Sequence, residues 1–390
     1  MFGGVATAGT HSILEDVDVQ WGDFGGIGIG VGGMVLNSTV SNNGNNGIGN
    51  GGDDIIIRGN KISGNNYRLF DPGWHAGGMK LTRGFDGIIE NNEVWENYGS
   101  GIWLDGADAG GLSIIRNNYV HDNVQVVGSF SVGIMFEISN NALIHNNIVL
   151  NNANRGIYLS TSAQADIFNN TVSGSSAYSM VDLEGNMARA PAVLRDNEVT
   201  NNLISYIHSK NYLYPEIQMQ RDGEGRQNNR ADYNLYYRPP GTVKLTIGYG
   251  ITYSTLASWQ AATGHDLHGV VANPLFIGSA APSTPSDAVL TYLSPAIDAG
   301  KDVGITSDYF GNPIYGKPDI GAVEYKPPFR TGVDKPDITG NIRIYADGKF
   351  RNKSAPHGIT ADLIVMPQNG FRSGNYAEWM DIAISEWGTS

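Results

Sequence analysis

Two acidic residues hold the same place in a phrase that recurs along the chain. The phrase reads GIWLD, GIMFE and then GIYLS, and its fifth place holds Asp105, Glu137 and Ser160. If the recurrence is structural, equivalent residues lie on neighbouring strands about 4.8 Å apart. Carboxyl groups about 5–5.5 Å apart act as nucleophile and acid/base in retaining glycosidases, whereas a gap of about 6.5–9.5 Å gives inversion. We therefore predict that Asp105 and Glu137 form a catalytic pair.

The same strands are predicted to carry substrate-binding side chains. In GIWLD the branched residues Ile102 and Leu104 point into a core, so strand alternation turns Trp103 outward together with Asp105. The same reasoning applies to GMKLT, to GIYLS and to MVDLE, the last of which we align with a slip of one residue. We predict one exposed sheet whose aromatic residues are platforms for sugar rings, with these substrate-binding residues: Lys80, Trp103, Tyr158, Asp182 and Glu184.

Two longer segments are predicted to wall this sheet. FDPGWHAGG, residues 70–78, is longer than a simple turn and brings Asp71, Trp74 and His75 beside the same rows. We predict that these three residues also bind substrate. QVVGSFSV, which begins at Gln125, lengthens the coil between the two acids and is predicted to form the opposite wall.

Internal repeats indicate the fold. The strand phrases are spaced 23, 32 and 23 residues apart, and between them recur turn phrases such as NNEV and NNIV. One unit thus holds two or three short strands, as in a coil of a right-handed parallel β-helix. We predict an all-β solenoid whose asparagines hydrogen-bond the same residue one coil away, at these turn positions: Asn60, Asn92, Asn118, Asn147, Asn170 and Asn197.

Composition agrees with this fold and excludes several classes of protein. The chain has 390 residues with 52 Gly, no Cys and only 16% charged residues, which suits short strands and tight turns more than helices. A net charge of −13 argues against a nucleic-acid partner, because phosphate binding needs a basic face. No apolar run approaches the roughly 20 residues of a membrane span, so we expect no membrane insertion. We expect an extracellular or periplasmic location, with a leader that this sequence does not include.

Three motifs on consecutive coils resemble a known family. AGGMKLTR, GSGIWLD and GIMFEIS are similar to bacterial β-helix glycoside hydrolases of the xylosidase, xylanase and α-fucosidase type, which have a pectate-lyase-like fold. The resemblance covers roughly residues 10–200. It implies hydrolysis of an oligo- or polysaccharide, with hemicellulose such as xylan favoured. It also implies that the Asp of WLD, here Asp105, is the nucleophile and that the Glu of the next coil, here Glu137, is the acid/base.

Other functions stay open at this point. A lyase acting on an acidic glycan could use Lys80 and Arg83, with or without Ca²⁺, to neutralise a sugar carboxylate. The acidic pair could instead hold Ca²⁺ or belong to a solvated face. A non-catalytic glycan-binding solenoid, such as an adhesin or a phage tail-spike stalk, is a further alternative. The favoured mechanism requires no cofactor and no metal.

The end of the chain is predicted to be a separate part. ADYNLYY, NPLF, SPAIDAG and DIGAVEY resemble the closing coils of extracellular β-helix proteins, which places the solenoid at residues 1–325. KPPFR, beginning at Lys326, is typical of a linker. We predict that residues 326–390 form this linker and a small β-rich C-terminal extension.

Overall fold

The protein is described here from a computed structural model. The described residues are 4–326, with gaps at 83, 85, 108–109, 127–130, 176–177, 186–193, 206–214, 220–227, 240, 249 and 279–280, and four short strands beyond residue 340. The chain divides into two compact units, Met1–Tyr325 and Lys326–Ser390.

Short strands make up most of the first unit. The first fifteen are β1 (Gly4–Ala8), β2 (Ile13–Glu15), β3 (Asp18–Gln20), β4 (Gly25–Ile29), β5 (Met34–Leu36), β6 (Thr39–Ser41), β7 (Asn46–Asn50), β8 (Asp53–Arg58), β9 (Lys61–Ser63), β10 (Gly77–Thr82), β11 (Asp86–Glu90), β12 (Glu93–Trp95), β13 (Ser100–Asp105), β14 (Ser113–Arg116) and β15 (Tyr119–His121). The next fifteen are β16 (Ile134–Glu137), β17 (Asn140–His145), β18 (Ile148–Leu150), β19 (Ile157–Ser160), β20 (Ala163–Phe168), β21 (Thr171–Ser173), β22 (Val181–Glu184), β23 (Glu198–Thr200), β24 (Leu203–Ser205), β25 (Ile217–Met219), β26 (Arg230–Asp232), β27 (Leu235–Tyr237), β28 (Leu245–Ile247), β29 (Ile251–Tyr253) and β30 (Val270–Val271). One α-helix, α1 (Leu256–Thr263), and a 3₁₀-helix (Pro285–Ala288) follow β29.

Each coil from β1–β3 to β25–β27 gives one strand to each of three sheets. The first sheet has the order β1-β4-β7-β10-β13-β16-β19-β22-β25-β28-β29, the second runs β2-β5-β8-β11-β14-β17-β20-β23-β26, and the third runs β3-β6-β9-β12-β15-β18-β21-β24-β27-β30. Apart from the last pair of the first sheet, β28 and β29, the paired strands of these sheets are parallel. This is a parallel β-helix, and it confirms the all-β solenoid predicted from the repeats.

The core is a stack of apolar side chains inside the three sheets. Ile102 and Leu104 of β13 are fully buried, and so are their register partners Ile134 and Phe136 of β16. Each burial of such a side chain contributes on the order of 2 kcal/mol. The inward residues are therefore those that the alternation predicts.

Asparagine ladders close the corners of the coils. The backbone N–H and the side-chain amide of Asn92 donate to Asn118 Oδ1 at 3.1 and 2.9 Å, and Asn118 contacts Asn147 in the same way. The predicted ladder is thus confirmed at five of its positions: Asn60, Asn92, Asn118, Asn147 and Asn170.

Asn197 also hydrogen-bonds an asparagine one coil away, as predicted, but it belongs to a different ladder. Asn170 contacts Asn202, which precedes β24 of the third sheet. Asn197 instead precedes β23 of the second sheet and contacts Asn229 at another corner. The two corners use the same chemistry, so the short phrase DNEV is similar to NNEV without being its structural equivalent.

Residues 276–323, called the tail here, cover much of the outer face of the third sheet. Ile148 and Leu150 of β18 and Leu203 of β24 form one buried cluster with tail residues such as Phe276 and Ile320. This packing shields strand positions that would otherwise face water.

The second unit contains a four-stranded antiparallel sheet. Its strands are β31 (Ile342–Ile344), β32 (Phe350–Asn352), β33 (Thr360–Ile364) and β34 (Ala383–Ser385), in that order across the sheet. In the parts of the chain that the structure describes, no helix combines the length and the hydrophobicity needed to cross a membrane.

Candidate active site

Asp105 and Glu137 are direct partners on adjacent coils. Their Cα atoms pair in the register between β13 and β16, so they lie one strand spacing, about 4.8 Å, apart along the first sheet. The same column continues through the coils before and after them, and its members are Thr82, Asp105, Glu137, Ser160 and Glu184.

The predicted slip in MVDLE is wrong. Val181 pairs with Ile157, and Glu184 pairs with Ser160, so this phrase lies in register with GIYLS. Asp182 therefore belongs to a second outward column, two residues from the first, whose members are Lys80, Trp103, Met135, Tyr158 and Asp182.

The aromatic residues of this second column are not exposed as predicted. Trp103 is 2% exposed and Tyr158 is 5% exposed, although both point away from the central core. They pack with Met135 and Val132 in a cluster of their own. Large side chains stacked at one strand spacing cover each other, so these rings are not open platforms for sugar rings.

Lys80 contacts Asp105, the Trp103 ring and the loop before β10. Lys80 Nζ lies 2.8 Å from Asp105 Oδ2 and 3.4 Å from the centroid of the Trp103 ring, and it donates to the carbonyl oxygen of Trp74. The side chain of Lys80 is 7% exposed and that of Asp105 is 26% exposed. Asp105 is thus a partly open carboxylate held by a buried cation.

Glu137 has a different environment. It is 4% exposed, and its Oε2 accepts a hydrogen bond of 3.1 Å from Trp103 Nε1. Ser160 Oγ donates to its other oxygen, Oε1, at 3.5 Å. The two acids of the pair therefore differ in burial and in the nature of their partners.

The loop before β10 lies beside Lys80, as the sequence predicts. Trp74 is 61% exposed, and its ring stacks on His75 with centroids 4.3 Å apart. Burial and the charge of Lys80 lower the pKa of His75, against a smaller effect of Asp71. Asp71 is exposed, and its carboxylate accepts from the backbone N–H of Gly73 within the same turn. Trp74 and His75 are next to the site, and Asp71 shapes their loop.

Arg155, which the sequence reasoning missed, organises the far end of the outward columns. Its guanidinium lies 2.6 Å from Asp182 and 3.3 Å from Glu184, and is sandwiched 4.3 Å from the rings of Tyr158 and Tyr178. Burial opposes the charge, but Asp182 and Tyr158 outweigh it and raise the pKa of Arg155. The signal for this role in the sequence is the position of Arg155 directly before the strand phrase GIYLS.

The contacts of Arg155 hold three of the predicted substrate-binding residues in place, namely Tyr158, Asp182 and Glu184. Asp182 is fully buried and also accepts from Gln218, so it is part of the packing and not an open contact. Tyr158 OH donates to Glu184 Oε2 at 3.1 Å, and burial raises the pKa of Tyr158 despite Arg155. Glu184 is the partly exposed member of the group.

Two cavities lie on other faces of the solenoid. One of about 480 Å³ lies between the third sheet and the tail, next to Glu93, Tyr119 and Tyr309. The other, of about 720 Å³, is lined by tail residues 300–306 and 314–318 with Tyr233.

Among the residues that the structure describes, no three His, Asp or Glu side chains are grouped to hold a metal ion. Arg83 and residues 127–130, half of the predicted second wall, lie outside the described residues.

The family of the chain follows from its coils. Residues 3–172 and 108–214, together more than half of the chain, match the family described as right handed beta helix region. The chain belongs to this right-handed β-helix family, which confirms the predicted fold and its handedness.

Solved structures with a similar fold are distant in sequence. They include pectate lyase Pel9A, with 16% identity over 79% of this chain and 70% of that one and a TM-score of 0.47. XylC in complex with xylose has 14% identity over 78% of this chain, with a TM-score of 0.43, and the periplasmic alginate epimerase AlgG has 17% over 62%, with 0.42. The match spans half the length of XylC and of AlgG. No curated protein matches the sequence.

Proposed function

We propose that this protein is a glycoside hydrolase that acts on an oligo- or polysaccharide through Asp105 and Glu137. One observation carries the proposal: the two acids are register partners on adjacent coils and have unlike surroundings. Asp105 pairs with the ammonium of Lys80, whereas Glu137 is buried against the indole N–H of Trp103. Pairs of carboxyl groups with unlike environments are how glycosidases divide the nucleophile and acid/base roles.

The unlike environments support a division of roles between the two acids. Asp105 is the more exposed of the two and is oriented by a cation, which suits the nucleophile that attacks the anomeric carbon. Glu137 is buried, and hydrogen bonds from Trp103 and Ser160 hold its carboxyl group in one orientation, so we assign it the role of proton donor. This assignment agrees with the resemblance of WLD and F-E to the xylosidase-type motifs.

The reaction then has two steps. As the Asp105 carboxylate forms a bond to the anomeric carbon, the glycosidic C–O bond breaks and Glu137 gives its proton to the leaving oxygen. Glu137 next takes a proton from water, whose oxygen bonds to the anomeric carbon and releases Asp105. The separation expected from one strand spacing favours this retaining outcome. The mechanism requires no metal.

A neutral hemicellulose such as xylan is the proposed substrate. The outward column contains three carboxyl groups, Asp105, Glu137 and Glu184. Arg155, the cation beside Glu184, is buried and bound by Asp182 and Glu184, so it is not open to a sugar carboxylate. Lys80, which a lyase would need for a sugar carboxylate, is already bound by Asp105 and lies on Trp103. A polymeric substrate also fits the expected extracellular or periplasmic location.

A screen on aryl glycosides and hemicelluloses tests the proposal. Asp105→Asn and Glu137→Gln should each lower kcat by more than 100-fold while circular dichroism stays unchanged. Azide should restore turnover of an activated aryl glycoside by Asp105→Ala and by Glu137→Ala, with opposite product anomers, because azide replaces the nucleophile in one and attacks the intermediate in the other.

The second sheet offers a matched control. Asp166 and Glu198 are also register partners on adjacent coils, and burial together with Glu198 raises the pKa of Asp166 to about 6. Asp166→Asn should leave activity within about twofold. Full activity in both Asp105→Asn and Glu137→Gln would refute the proposal. An unsaturated, ultraviolet-absorbing product lost with EDTA would show a lyase, and binding without turnover would show a glycan-binding solenoid.

A further inference from the structure

We propose that the cavity between the third sheet and the tail is a second saccharide site, which binds a neutral glycan away from the catalytic pair. The inference rests on the proposed function for the class of glycan but not for the existence of the site. The cavity has a volume of about 480 Å³, within the roughly 300–1,000 Å³ typical of small-molecule sites.

Glu93 of β12 and Tyr119 of β15 form the floor of the cavity. Glu93 pairs with Tyr119 and Trp95 pairs with His121, while the valines between them point into the core. The rings of Tyr119 and His121 stack at 3.8 Å, and the His121 ring lies parallel to Trp95 at 6.0 Å. Glu93 and Tyr119 therefore line the cavity, and the rings of His121 and Trp95 support Tyr119 from beside it. β15 belongs to the same coil as Asp105 and β12 to the coil before it, but both lie on another face.

The tail forms the opposite wall of the cavity, through Thr284, Pro285 and Tyr309. Tyr119 OH donates to the carbonyl oxygen of Ser283, and Asn117 donates to the carbonyl oxygens of Asp308 and Tyr309. Towards later coils the tail buries the outward residues of the third sheet, but the Glu93 side chain stays 40% exposed. The cavity is thus a fixed notch at the edge of the tail, open to solvent on the side of β12.

The chemistry of the lining favours a neutral sugar. Tyr309 offers a partly exposed aromatic ring beside the 8% exposed Tyr119, and Glu93, Asn117 and Thr284 offer groups that bond to hydroxyls. Glu93 is the charged residue among those that line the cavity, and its carboxylate lies 3.5 Å from His121 Nε2. An anionic ligand would meet this carboxylate, whereas a polyhydroxylated ring can stack and donate to it.

Calorimetry on the full chain tests the site. The Asp105→Asn, Glu137→Gln double variant removes turnover, and xylohexaose and hexagalacturonate serve as neutral and anionic probes. We expect xylohexaose binding to be at least fivefold weaker when Glu93→Gln or Trp95→Ala is added. Tyr292→Ala, which changes an exposed tyrosine of the tail outside the cavity lining, should not alter it. Glu93→Gln keeps the shape of the side chain, so the test does not depend on the tryptophan variant folding.

Measurements on the catalytically active protein distinguish a failure of this site from a failure of the proposed function. Glu93→Gln and Trp95→Ala should reduce adsorption to insoluble xylan while kcat/KM on a small aryl xyloside stays within twofold. If no glycoside is hydrolysed but the two variants still weaken glycan binding, the function fails and the site stands. Unchanged xylohexaose affinity and xylan adsorption in both variants would overturn the site. Tighter binding of hexagalacturonate, lost in the same variants, would overturn its neutral specificity.

Discussion

Lys80 and Asp105 form an ion pair across one coil of the solenoid, with Nζ 2.8 Å from Oδ2. The ammonium is buried between the Trp103 ring and the carbonyl oxygen of Trp74, so its position is fixed by three partners. The pair therefore holds the proposed nucleophile in one orientation before substrate arrives, and it links the first sheet to the loop that borders it.

Replacing this cation should reduce catalysis. In Lys80→Met, Asp105 loses a charge-assisted hydrogen bond that contributes about 1.5–3 kcal/mol, so kcat/KM on an aryl glycoside should fall about 10- to 100-fold. Lys61→Met, at an exposed lysine of β9, is the control and should leave activity unchanged. Equal rates in the two variants would show that Asp105 does not depend on Lys80.

The indole of Trp103 is a positioning group for Glu137. In Trp103→Phe the ring packing is largely kept, but the 3.1 Å hydrogen bond to Glu137 Oε2 is lost. We expect kcat to fall about tenfold with little change in KM, and the pH-rate profile to shift, because the bond acts on the acid/base and not on substrate. Met135→Leu, in the same column, should affect neither quantity. A change confined to thermal stability would assign Trp103 a purely structural role.

The fold could be predicted from the sequence because each coil repeats the same two signals. Alternation placed Ile102 and Leu104 inside, and the recurring asparagines placed the corners. The pairing of Asp105 with Glu137 follows from the same periodicity, since a parallel register aligns equivalent places on adjacent coils.

The surroundings of the outward side chains could not be predicted from the repeat. Periodicity shows that Trp103 and Tyr158 point outward, but their burial depends on two cations that cover the rings. Lys80 covers Trp103 from the neighbouring coil, and Arg155 covers Tyr158 from just before its own strand. Corners with equal chemistry are also alike in sequence, so the sequence does not show that Asn197 belongs to a different ladder from Asn170. The position of the tail on the third sheet depends on contacts between distant residues, and no local pattern encodes it.

A single ladder asparagine should be essential for stability. Asn118→Ala removes the acceptor for both donors of Asn92 and the donor to the carbonyl oxygen of Ile89, all of them buried. Each unsatisfied buried group costs about 1–3 kcal/mol, so we expect a loss of about 3 kcal/mol or more in urea unfolding. Asn91→Gly is the control, because Asn91 is exposed and its φ of 56° suits glycine. Similar midpoints for both variants would contradict the structural role of the ladder.

The pH dependence of stability should reflect His145. Burial, reinforced by Arg116, lowers the pKa of His145 to about 4, whereas an unfolded histidine titrates near 6.5. Between these values the unfolded chain binds the extra proton, so this contribution to stability is lost as the pH falls below about 6.5. His145→Phe should flatten the dependence, and the gap between variant and wild type should change by about 1.4 kcal/mol per pH unit in this range. Urea midpoints from pH 4.5 to 7.5 measure it, and parallel curves would rule it out.

Replacing Arg155, beside the outward columns, should destabilise the protein strongly. In Arg155→Met, the buried Asp182 loses the partner at 2.6 Å and Glu184 loses the one at 3.3 Å, which should destabilise the protein by about 3–5 kcal/mol. Because the penalty comes mostly from an unpaired buried charge, Arg155→Met combined with Asp182→Leu should recover part of the loss. A double-mutant cycle in urea measures this coupling. If the two losses simply add, Arg155 contributes through its stacking on Tyr158 and Tyr178 and not through its charge.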